Sequence, residues 1–114
     1  MVSRIGSAAI ACALACNGAR ADFHTGEDLH EICTSGDGGD IAACDAFIAA
    51  VADALLDPGV TLPSHRICLP EGIEIEAIVD PFVHQLRTMA DRDRHSAVRI
   101  VAEALAARFP CRPR

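Results

Sequence analysis

The chain has 114 residues, and its ten basic side chains, every one an arginine, face sixteen carboxylates for a formal net charge of −6. That balance disfavours nucleic acid and anionic lipid as partners; it suits a basic protein surface, although solubility alone accounts for it equally well. Length and a 51% apolar content allow one small domain with a modest core.

In chain order, Arg4 precedes the uncharged run Ile5–Cys16, and Ala19-Arg20-Ala21 then offers a small-x-small cleavage site before Asp22. This is the layout of a secretory signal peptide over residues 1–21, and the apolar run is too short to span a bilayer. A lipid-attachment box ending at Cys16 lacks its usual large apolar residue, since Ala13 stands there, so soluble export is expected. Removing 21 residues leaves 93, carrying eight arginines and all sixteen carboxylates, a net of −8.

Within residues 22–114 the apolar spacing is helical throughout, which predicts an all-α, disulfide-stabilised four-helix domain. Thr25, with Asp28 three positions on, caps a short first helix reaching Cys33, with Leu29, Ile32 and Cys33 inward. The glycines of Ser35–Gly39 break it, and Asp40 is expected to cap a second helix running to Leu56. Its stripe Cys44, Phe47, Ile48, Val51 and Leu55, with seven interleaved alanines, marks it as the central helix of the core.

Asp57-Pro58-Gly59 ends that helix, and a long turn-rich connection leads past Pro63 and Pro70. The third helix spans Glu74 to Met89 with Ile75, Ile78, Val79, Phe82, Val83 and Leu86 inward, and Pro81 is expected to kink or loosen it. After the charged turn Ala90–Arg94, Asp93 or Ser96 caps a last helix whose apolar residues are Val98, Ile100, Val101, Ala104, Leu105 and Phe109. Pro110 ends it.

Export would remove Cys12 and Cys16, leaving Cys33, Cys44, Cys68 and Cys111, with three possible connectivities. Cys33 and Cys44 flank the first interhelical turn, and Cys68 and Cys111 flank the open end of the last hairpin. Neighbour pairing, Cys33 with Cys44 and Cys68 with Cys111, is favoured because it keeps Cα separations within about 4.4–6.8 Å.

A search for chemistry finds little. His30 and Cys33 share a helical face, but a bonded cysteine is no nucleophile, and no second ligand pair accompanies them among the scattered His24, His65, His84 and His95. No serine sits in a nucleophile elbow, and the glycines of 36–39 lack the lysine of a phosphate loop. The pairs Asp91/Asp93 and Glu74/Glu76 read as solvated helix ends. No catalytic residue, metal or cofactor is expected.

Gly26-x-x-Leu29-x-x-x-Cys33, Cys44-x-x-Phe47-Ile48-x-x-Val51-x-Asp53-Ala54, Cys68-x-Pro70-x-Gly72-Ile73 and Ala97 through Ala104-Leu105 to Phe109-Pro110-Cys111 occur in that order. This frame resembles the Rap/Tai family, immunity proteins against cell-wall amidase toxins delivered by the type VI secretion system. The resemblance implies a periplasmic, non-catalytic, commonly homodimeric protein that occupies the cleft of a peptidoglycan amidase, with neither nucleic-acid binding nor membrane insertion. Partner contacts are then expected on loops. The candidates are Asp57, His65 and Arg66 from the long connection, and Asp91, Arg92, Asp93, Arg94 and His95 from the charged junction. The alternative is a stand-alone periplasmic structural or chaperone-like protein, with five histidines able to sense acid.

Overall fold

In the computed structural model, residues 24–59 and 65–112 are described, so the leader reading and positions 60–64 of the long connection lie outside the described residues. Four helices make the fold: α1 (Gly26–Thr34), α2 (Gly38–Leu56), α3 (Ile75–Thr88) and α4 (Ala97–Arg108), with a 3-10 turn at Arg92–Arg94 between the last two. No strand is present among the described residues, and the all-α expectation holds.

Each helix start has its own chemistry. Thr25 caps α1 reciprocally: its backbone N–H donates to the Asp28 carboxylate at 2.7 Å, and the Asp28 N–H donates to the Thr25 hydroxyl at 3.3 Å. Gly36, at φ 77°, follows the end of α1 in the left-handed region that glycine enters without a Cβ penalty. The cap of α2 is Asp37, not Asp40. Its carboxylate accepts from the N–H groups of Gly39 at 2.9 Å and Asp40 at 3.1 Å. Gly38 and Gly39 occupy the first turn, outside the helix interior where glycine's entropic cost is fully felt, and enter the helix instead of preceding it. Ser96 caps α4, its hydroxyl accepting from the Arg99 N–H at 3.2 Å. α3 runs unbroken through Pro81.

Leu29, Ile48, Phe82, Leu86, Ile100, Val101 and Leu105 are fully buried and join the four helices in one core. Each large apolar side chain buried this way contributes about 1.5–3 kcal/mol. One expectation about the core needs correcting. The centre is α4, half of whose twelve residues are buried, whereas α2 buries four of nineteen. Ala42, Ala43, Ala46, Ala50 and Ala54 of α2 face solvent, because alanine there supports the helix without filling a core. Of the apolar residues of α4, Val98 is 50% exposed, one residue off the inner face carried by Ala97, Ile100, Val101, Ala104 and Leu105.

The disulfides join Cys33 to Cys44, with Cα atoms 5.2 Å apart, and Cys68 to Cys111, at 4.9 Å. The second closes a backbone contact in which the Cys68 N–H donates to the Phe109 carbonyl at 2.9 Å and Ile67 bridges Pro110. The connection leaving α2 is thereby fastened to the end of α4.

Candidate partner-binding surface

At the other end of α4, two helix starts are joined backbone to backbone. The Gly26 N–H donates to the His95 carbonyl at 3.0 Å, and the Ala97 N–H to the His24 carbonyl at 2.9 Å, bridging Thr25 and Ser96. The approach is close enough that a Cβ on Gly26 would stand 2.6 Å from the Arg92 carbonyl oxygen. Glycine is required by that proximity.

Arg92 completes the joint. Its Nε pairs with the Glu27 carboxylate of α1, while Nη1 donates to the Leu86 and Met89 carbonyls at the end of α3, each at 3.4 Å. One guanidinium therefore ties the last turn of α3 to the first turn of α1, using the planar fork of donors that lysine lacks. Beside it, His95 Nε2 meets the Asp91 carboxylate at 2.9 Å. That hydrogen bond holds the Asp91 carboxyl below the usual carboxylate range.

The five candidates of the charged junction are thus divided. Arg92 is turned inward and shapes the turn; His95 is half-buried; Asp91, Asp93 and Arg94 are exposed on an anchored backbone. In the long connection, the Asp57 carboxylate accepts from the Gly59 N–H at 2.7 Å, Arg66 is exposed and His65 is half-buried. The two groups do not form one site. Arg66 adjoins Ile67, which bridges Pro110 past the end of α4, whereas His95 precedes the start of α4, and the helix between them is about 18 Å long at 1.5 Å per residue.

Among the described residues there is no group of three or more histidines, cysteines or carboxylates placed to hold a metal, and no helix long and apolar enough to cross a membrane. Sequence reasoning missed two features. Gly26 and Arg92 act as a pair, which only the fold brings together, and a groove between α3 and α4 is lined by residues from both helices.

The family model for Rap1a immunity proteins matches residues 25–111, from the cap of α1 to the last disulfide cysteine. The chain belongs to the Rap1a immunity family. Neither a curated protein nor a solved structure matches it. Membership makes this Rap1a-family chain a binder of a cognate effector, and its two disulfides fit an extracellular or periplasmic setting. The matched span includes both the Gly26–Arg92 joint and the anchored turn.

Proposed function

We propose that the protein is exported to the periplasm, where, as a homodimer and without catalysis of its own, it binds and inhibits a type VI secretion peptidoglycan amidase. The observation that carries this reading is the Asp91–His95 turn, exposed at Asp91, Asp93 and Arg94 yet fastened to α1 and α3. A loop held in its bound shape loses little conformational entropy on docking, which is what a stoichiometric inhibitor requires of the segment it inserts. The acidic balance of the chain adds steering toward a basic partner.

The test uses the mature protein and an amidase encoded beside it. Wild type should inhibit peptidoglycan cleavage at a one-to-one ratio. The triple variant Asp91→Ala/Asp93→Ala/Arg94→Ala, which spares Arg92, should lose inhibition while keeping its helical circular dichroism. Binding should weaken as salt rises. Light scattering on the free protein checks the dimer. Failure of wild type to bind the amidase at low salt would return the protein to the stand-alone periplasmic reading.

A further inference from the structure

The acidic chain carries one groove that has no acidic lining. It lies between α3 and α4 on the outside of the domain and has a volume of about 490 Å³, within the 300–1,000 Å³ typical of ligand-binding clefts. α3 contributes Pro81, His84, Gln85 and Thr88; α4 contributes Ala104, Ala107 and Arg108. The lining therefore combines apolar Pro81, Ala104 and Ala107 with an imidazole, an amide and a guanidinium, while the Thr88 hydroxyl already donates to the Gln85 carbonyl at 3.0 Å.

Charge decides what fits. α4 has a single carboxylate, Glu103, and it is taken up by Arg99 at 2.9 Å. The carboxylates of α3, Glu76 and Asp80, do not line the groove. Arg108 makes no ion pair among the described residues; its guanidinium lies over the Phe109 ring, 5.1 Å from the centroid. Phe109 is itself buried, so the cation is stacked on a fixed plane with its donors uncommitted. A planar guanidinium held this way is preorganised for a carboxylate.

We propose that this groove docks an acidic segment of the partner protein, an Asp or Glu paired with Arg108 beside an apolar side chain seated on Ala104 and Ala107. The inference rests on the effector-binding reading and adds a second contact to it, opposite in sign to the net charge of the chain. A partner with a basic face and one acidic segment would be held in a single orientation, since reversing it brings like charges together.

The probe is a terminally blocked pentapeptide alternating Glu and Leu, titrated to millimolar concentration into the isotope-labelled mature protein, with a Lys/Leu pentapeptide as its counterpart. The amides of His84, Gln85, Thr88, Ala107 and Arg108 should shift with the acidic peptide and stay still with the basic one. Arg108→Gln, which keeps the stem and loses the charge, should weaken binding by about tenfold, while Arg87→Gln on α3 outside the groove should not. Equal binding of the basic peptide, or an unchanged affinity in Arg108→Gln, overturns the proposal. So do shifts in these amides on raising protein concentration alone, which would make a second copy the occupant. With the neighbouring amidase, full inhibition by Arg108→Gln removes the groove from the interface and leaves the immunity reading standing. Absence of wild-type binding to the amidase removes the immunity reading, and the peptide titration still decides whether the groove takes an acidic segment.

Discussion

Replacing Gly26 with alanine places a methyl group where two neighbours already stand. The new Cβ would lie 2.6 Å from the Arg92 carbonyl oxygen and closer still to the Ile100 Cδ1. The isoleucine terminus can rotate away, but the carbonyl belongs to the backbone of the 3-10 turn, so either the turn or the start of α1 must move. Overpacking of this kind costs about 1–3 kcal/mol. The movement also stretches the Gly26–His95 and Ala97–His24 hydrogen bonds, at about 1 kcal/mol each if lost. Helix propensity returns little, because Gly26 is the first helical residue and lies outside the interior where the full difference of about 1 kcal/mol applies. A net loss of about 2 kcal/mol corresponds to a Tm lower by about 8–16 °C for a domain of this size. Thermal unfolding followed by circular dichroism measures it, and effector inhibition should fall further than stability does, since the displaced element is the proposed inhibitory turn. A Tm within about two degrees of wild type would refute the reasoning, because it would mean that the joint relaxes without cost.

Two further perturbations act on stability alone. The Cys68–Cys111 bridge spans 43 residues and the Cys33–Cys44 bridge 11, so on loop-closure entropy the paired alanine variants should lose about 4 and about 2.8 kcal/mol respectively. Urea unfolding of the two double variants checks the order, and a greater loss from the shorter loop would show that native-state contacts outweigh chain entropy. The third concerns acid. Hydrogen bonds from Thr25 hold the Asp28 carboxyl below its ordinary range, so its stabilising effect is complete above the unfolded value near 4 and is lost as pH falls through the lower folded value. Asp28→Asn should therefore flatten the pH dependence of Tm below about pH 4 and leave its slope above about pH 6 unchanged.

Local signals in the chain were strong enough to read most of the fold. Thr25 with Asp28 and Ser96 before α4 act over one turn, and the structure uses them as the pattern implies; the cysteine pairing, over 11 and 43 residues, follows from the order of the helices they flank. One local signal was misread, the cap of α2, and the other failures concern which neighbour a side chain meets. Five of the seven alanines of α2 resemble core packing in sequence and face solvent in space, because apolar spacing cannot distinguish a buried small residue from a good helix former on the surface. The charge of Arg92 made it a candidate contact residue, and what its sequence position did not reveal is that the arginine also holds Glu27 and two carbonyls contributed by a different helix. Charge marks a residue as polar; long-range geometry determines where that polarity points. The groove was illegible for the same reason, since His84 and Arg108 are unremarkable on their own helices and acquire meaning only side by side.

The Glu27–Arg92 pair links positions 65 residues apart, across most of the helical domain. Contacts of such long sequence separation carry a loop-closure cost that local contacts do not. A chain that ends before residue 92 has both α1 and α3 but lacks the guanidinium that joins them. The shape of the exposed turn therefore depends on a contact that no shorter N-terminal piece of the chain contains.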